Sequence, residues 1–281
     1  MRGTPRQPSI HVLMTDLTVR TRAILTEASA AASVAVVPYL LSMQRDALAA
    51  PNARRIAAGK RPITPAKLAA LAAMQSQVTF GIAAGLGLRA ARTMGLGLPH
   101  LESLLRGKPS GLSISQAAAY AGAGAGSALA IAALDYTLFA GGRKKMQEAI
   151  SHPPEAWRGL LAVPYGAVAE EVLLRLCVQT LCAAGLRRVR GETARPPTGT
   201  TMWPAIAIST LLFGAGHLPA ASRITPLTPA LIARTLLLNG IAGVVFGYLY
   251  WKRGLEAAMI AHGTADVVIH VGGPLVQRRQ A

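Results

Sequence analysis

The stretch LLAVPYGAVAEEVLLRLCVQTLCAAG, residues 160–185, decides the reading of this chain. It is long and apolar enough to enter a bilayer, and it carries three charges at its centre: Glu170, Glu171 and Arg175. A charge at membrane depth costs about 2.5–3.5 kcal/mol on insertion scales, so it persists only where it is paired or useful. Glu171 and Arg175 stand four apart, acid first, on one helical face, and a salt bridge between them lowers the cost of both. Glu170 is rotated by about 100° from Glu171 and has no partner within its own helical turn. It is therefore expected to face a group on another helix.

The surrounding chain has the composition of a membrane protein. Of its 281 residues 52% are hydrophobic and only 15% are charged, with a mean hydropathy of +0.38. Soluble domains carry about 25% charged residues. Seven apolar segments are long enough to cross or nearly cross a bilayer, at roughly 23–43, 67–88, 115–140, 159–185, 202–221, 227–251 and 254–273. Pro and Gly punctuate the gaps, among them Pro62, Pro65, Pro99, Gly107, Pro109, Pro153, Pro154, Pro226 and Pro229. The expected fold is an all-α polytopic transmembrane bundle of about six to eight membrane helices. Residues 1–150 form an N-terminal group of three apolar segments, and residues 151–281 form a C-terminal group that holds the chemistry. Residues Met1–Arg22 read as a basic, polar arm, and the apolar run after it lacks a signal-peptidase site and is expected to be retained.

The net charge of +17 raises the question of nucleic acid. Its distribution answers it. The cations sit in short clusters between apolar segments: Arg54, Arg55, Lys60 and Arg61; Arg143, Lys144 and Lys145; Arg187, Arg188 and Arg190; Lys252 and Arg253. Loops against an anionic lipid surface look like this, and no aromatic residues interleave with the clusters. Nucleic acid is excluded as a partner, and membrane lipid is expected. The basic loops do not alternate from one side to the other, so orientation stays open. Cys177 and Cys182 stand five apart on different helix faces, which argues against a local disulfide. Gly-x-x-x-Gly spacings at Gly81–Gly85, Gly122–Gly126 and Gly243–Gly247 permit close helix approach, chiefly within the chain. No internal repeat marks a duplicated transporter.

Two further segments supply partners for Glu170. Phe213 and His217 share a face in Phe213-Gly-Ala-Gly-His217, and His262 and Asp266 do so in His262-Gly-Thr-Ala-Asp266, so Asp266 can hydrogen-bond or orient His262. Of the six histidines, His11, His100 and His152 fall in loops or the arm, and His270 lies near the end of the last segment. Glu27 and Asp135 sit in apolar segments with no obvious partner. Each short pattern alone has a structural explanation. The ordered set is more specific.

Glu170-Glu171-Val-Leu-Leu-Arg175, Phe213-Gly-Ala-Gly-His217 and His262-Gly-Thr-Ala-Asp266 resemble the three motifs of the CPBP family, the CAAX-protease and bacteriocin-processing (Abi) proteins, which include the type II CAAX prenyl endopeptidases. The resemblance covers about residues 155–275. It implies an intramembrane glutamic endopeptidase that needs no metal and no cofactor. Glu170 and His217 look like the pair that activates water, His262 and Asp266 like the pair that stabilises the oxyanion, and Glu171, Arg175 and Phe213 like supporting groups. Many relatives have Asn where this chain has Asp266. An ionised Asp cannot donate a hydrogen bond, so Asp266 is expected to orient a protonated His262. The implied substrate is a membrane-associated protein or peptide, and the Arg- and Ala-rich composition suggests a bacterial plasma membrane, where prenylated substrates are less expected. Two rivals remain: a zinc-dependent membrane protease built from Glu and two His, although no His-Glu-x-x-His occurs, and a non-enzymatic scaffold, immunity or transport protein whose ionisable groups serve another purpose.

Overall fold

The computed structural model describes residues 10–39, 49–149 and 155–275. Helix α1 spans Ile10–Ala35, α2 Ala49–Ala57, α3 Pro65–Met94, α4 Pro99–Leu105, α5 Ile114–Thr137 and α6 Ala140–Ala149. The charged segment follows as a short α7 (Ala156–Gly159), two π-helical stretches π1 (Tyr165–Glu170) and π2 (Val172–Gln179), and α8 (Thr180–Arg190). Then come α9 (Gly199–Gly216), α10 (Leu218–Ser222), α11 (Pro229–Arg253), α12 (Leu255–Asp266) and π3 (Val267–Gly272). Among the described residues there is no strand, and the expected all-α bundle is what the chain forms.

Local chemistry sets the helix ends. The Thr64 hydroxyl accepts from the Lys67 amide while Pro65 occupies the first turn, and Thr228 and Pro229 repeat the device for α11. Ser113 and Gln116 form a reciprocal capping box at the start of α5. Gly95 ends α3 in the left-handed region at φ 69°, which glycine adopts without strain.

Four of the described helical spans are long and apolar enough to cross a membrane: Pro65–Met94, Ile114–Thr137, Gly199–Ser222 and Pro229–Arg253. Their outer faces are oily. On α3 the exposed side chains include Leu71, Met74, Val78, Ile82 and Leu86, a stripe at helical spacing with water-avoiding chemistry throughout. The inner faces meet in a core built from Ala84, Leu88 and Met94 of α3, Val172 and Leu176 of π2, Met202 and Ile206 of α9, Phe246 and Tyr250 of α11, and Leu255 and Ala258 of α12. Helices from both sides of residue 150 share it: α1 packs on α3 and π1, and α5 packs on α11 and α12.

Three expectations from the sequence change. The first apolar helix begins at Ile10, so much of the stretch read as an arm is helical, and Arg22 is accommodated by donating from Nε to the Gly81 carbonyl at 2.9 Å. Asp135 and Glu27 do have partners. Asp135 receives a two-pronged bond from Arg234 of α11 at 2.7 and 2.8 Å, and Glu27 accepts from Gln77 of α3 at 2.9 Å. The segment at 159–185 is not a single α-helix, because π winding occupies its centre. His152 falls outside the described residues.

Helices approach closely where glycine removes the side chain. A methyl group on Gly87 would lie 2.4 Å from the Leu176 carbonyl oxygen, and one on Gly124 would lie 2.0 Å from that of Ala261. Gly243 abuts Thr210, and Gly247 abuts Gln179 and Ile206.

Candidate active site

The geometry of the site starts with π1 and π2. In an α-helix residues four apart stack along one face, whereas an i→i+5 ladder stacks residues five apart. The Thr180 amide bonds back to the Arg175 carbonyl in this way, and the Thr180 hydroxyl reaches the same oxygen at 3.1 Å. Gly166 and Glu171, and Glu170 and Arg175, are each five apart. Glu170 and Glu171 are neighbours in this π-wound stretch, and both carboxylates reach one imidazole.

That imidazole is His262 of α12. Its Nδ1 lies 2.8 Å from Glu171 Oε1, and its Nε2 lies 3.7 Å from Glu170 Oε2. A carboxylate beside a guanidinium only accepts, so Nδ1–H is the donor to Glu171. Nε2 then faces Glu170 and, also at 3.7 Å, Asp266 Oδ1. The ring stacks on Phe246 at 4.5 Å between centroids and meets the edge of Phe213 at 5.7 Å.

Glu171 and Arg175 are both wholly inaccessible to solvent, with Nε and Oε2 3.5 Å apart. The guanidinium lies over the rings of Phe213 (4.9 Å) and Phe246 (5.6 Å), and its Nη2 donates to the Gly243 carbonyl at 3.4 Å. Glu171 thus divides its charge between Arg175 and His262. Glu170 is the more open of the two acids, with 21% of its side chain exposed.

His217 caps the end of α9. Its Nδ1–H donates to the Phe213 carbonyl at 2.8 Å, which leaves the Nε2 lone pair free in the neutral ring. The rings of Phe213 and His217 meet edge to face at 4.9 Å, as expected for residues sharing a face. Asp266 ends α12. The group at hydrogen-bond distance from His262 is Glu171 and not Asp266, whose carboxylate lies between His262 and His270 at 3.7 and 3.8 Å from their Nε2 atoms.

The structure thus brings Glu170, Glu171, Arg175, Phe213, His262 and Asp266 into one contact set, with His217 joined to it through Phe213. Four participants carry no sequence signal of their own. Phe246 stacks on His262. Gly166 clears the floor, since a methyl there would fall 2.2 Å from Asp266 Oδ2 and 2.8 Å from His262 Nε2. His270 Nε2 faces Asp266, and Tyr39, beyond the end of α1, touches His270. Among the described residues, no three of His, Cys, Asp or Glu converge in the arrangement of a metal site.

Chemically, the cluster offers an accessible carboxylate, a second imidazole with a free nitrogen, and an imidazole whose far nitrogen is held by a buried acid. These are the parts of a base and an oxyanion donor. No curated protein and no solved structure matches the chain. The family model described as type II CAAX prenyl endopeptidase Rce1-like matches residues 152–268, the stretch that holds all three motifs, and it is to this family that the C-terminal half of the chain is similar.

Proposed function

We propose that this chain is a multi-pass membrane endopeptidase that hydrolyses peptide bonds of membrane-associated proteins or peptides with a water activated by Glu170 and His217. The observation that carries the reading is the split between the two glutamates. Buried Glu171 is bound to Arg175 and His262 Nδ1, while Glu170 stays partly open and faces the same ring from Nε2. A structural ion pair requires only the first.

In this mechanism Glu170, assisted by the free Nε2 of His217, takes a proton from water. The hydroxide attacks the scissile carbonyl carbon. Charge developing on the carbonyl oxygen is met by His262 Nε2–H, and the protonated ring is stabilised through Nδ1–H by Glu171. The tetrahedral intermediate then collapses with cleavage of the C–N bond, and the proton held by Glu170 passes to the leaving amine. Asp266 keeps negative charge near the imidazolium and orients it. No step calls for a metal or cofactor. The family description supports CAAX-like carboxyl-terminal substrates, whereas the composition of the chain favours a bacterial plasma membrane and non-prenylated peptides.

The test is cleavage of quenched fluorescent peptides, with and without a prenylated cysteine, by the detergent-purified full chain. Glu170→Gln and His217→Ala should each lower turnover by about a hundred- to ten-thousand-fold, and a strong zinc chelator should leave the wild type unaffected. Loss with chelator would move the assignment to a metalloprotease. A Glu170→Gln chain that retains full biological effect would mark a scaffold.

A further inference from the structure

The proteolytic reading uses residues of the Rce1-like segment alone. Two side chains outside that segment reach the same cluster. His270 lies just past its end, on π3, and Tyr39 lies in the N-terminal half, 231 positions away in sequence. Tyr39 is buried, with 7% exposure, and its Oη sits 3.0 Å from His270 Nδ1, the two rings meeting edge to face at 5.7 Å. His270 Nε2 faces Asp266 Oδ1 at 3.8 Å, and that same oxygen is 3.7 Å from His262 Nε2. The His270 backbone is fixed in turn, its carbonyl oxygen seated where a methyl on Gly159 would lie 2.1 Å away.

We propose that Tyr39 and His270 are positioning residues for Asp266, so that the N-terminal half of the chain completes the catalytic cluster. The proposal rests on the proteolytic reading of that cluster. Asp266 shares its surroundings with Glu170, and two acids side by side repel each other. A positive N–H edge 3.8 Å from Oδ1 offsets that repulsion and favours the carboxylate's place beside His262. Only the tautomer with its proton on Nε2 can supply it. A Tyr39 hydroxyl that donates to Nδ1 selects that tautomer, as a second hydrogen-bond partner does for ligating histidines. The row then runs Tyr39, His270, Asp266, His262, Glu171, Arg175, and it crosses from the segment just after α1 to π2 through the site. A bond that merely pinned the segment after α1 to the bundle would need no Nε2–H and no acid beyond it.

The experiment uses the detergent-purified full chain and separates kcat from KM on a cleaved peptide, with thermal unfolding measured alongside. Tyr39→Phe removes one hydroxyl and should lower kcat by about 10- to 100-fold with KM and unfolding temperature unchanged. His270→Gln, whose amide N–H reaches as far as Nε2, should keep most of the activity. His270→Asn, whose amide reaches only as far as Nδ1, should lose it, and adding Tyr39→Phe to His270→Asn should cost nothing more. Equal behaviour of Gln and Asn, or loss that follows the unfolding temperature, would reduce the contact to packing. Nitrogen-15 shifts of the His270 ring read the tautomer directly and do not depend on any substrate. Wild type should show Nε2–H, and Tyr39→Phe should shift the population toward Nδ1–H. An unchanged tautomer overturns the pair even if proteolysis holds. A changed tautomer in a chain that cleaves no peptide leaves the pair standing and removes the proteolytic reading.

Discussion

Among the described residues the two most deeply buried acid–arginine pairs contrast, and the better-made one lies outside the candidate site. Arg234 grips Asp135 with two bonds of 2.7 and 2.8 Å between α11 and α5, at 13–15% side-chain exposure. Arg175 and Glu171 sit in successive turns of one π-wound segment, wholly buried, yet 3.5 Å apart, and Arg175 Nε and Nη1 and Glu171 Oε2 have no hydrogen-bond partner among the described residues. A pair selected only to lower the cost of burial would look like the first, since good geometry is what repays desolvation. The second gives up geometry because Glu171 also holds His262. Loose pairing of a wholly buried pair goes here with a charge that is shared with His262.

Substitutions can break that contrast, beginning with the largest effect. Arg175→Ala leaves Glu171 buried beside a single partner and should cost about 3–5 kcal/mol of stability, with activity lost in whatever remains folded; a melting curve in detergent would show it. Should Arg175→Ala prove no more harmful than Arg234→Ala, the two pairs are equivalent and the argument from geometry fails. Gly166→Ala comes next. Its methyl meets Asp266 Oδ2 and His262 Nε2, and overpacking of this kind costs about 1–3 kcal/mol. Because the displaced atoms belong to the site, turnover should fall further than the melting temperature implies. Arg234→Ala should cost about 1–3 kcal/mol for the lost charged hydrogen bonds while the chain that remains folded turns over at the wild-type rate. Glu27→Ala removes an exposed contact to Gln77 and should shift stability by about 0.5 kcal/mol or less, the baseline for an acid in an apolar segment with no share in the site.

The same contrast explains what could be read from sequence. Glu171 and Arg175 four apart gave away their pairing because helical neighbours are a local matter. The all-α fold followed from apolar segments that have no other way to satisfy their backbone in lipid. Asp135 looked partnerless because Arg234 is 99 positions away, and no periodicity links them. The π winding left no mark either. Its residues, Val-Leu-Leu-Arg-Leu-Cys-Val-Gln, suit an α-helix as well, so the i→i+5 register is a product of packing. The Glu171–His262 bond spans 91 positions and has no local spacing to show it, whereas the four-residue step from His262 to Asp266 is visible in the sequence. Tyr39 and His270 have neither motif nor spacing to expose them.

The glycine contacts have a mechanical consequence. Gly87 on Leu176, Gly124 on Ala261 and Gly159 on His270 each press one backbone against another's carbonyl. Such joints work like keys in slots: a slide of one residue along the seam brings a side chain against the oxygen and jams. They clamp α3 to π2, α5 to α12 and α7 to π3, the pieces that carry Arg175, His262, Asp266 and His270. The seam between α9 and α11 is keyed differently: Gly214 meets the side chain and Cα of Leu236, and Gly243 meets the side chain of Thr210, with no carbonyl oxygen as close as at the other three joints. Under the proteolytic reading proposed above, a peptide that has to part the bundle would find three joints closed to sliding by carbonyl oxygens, and would meet side-chain packing instead between α11 and α9, the helix that ends at His217.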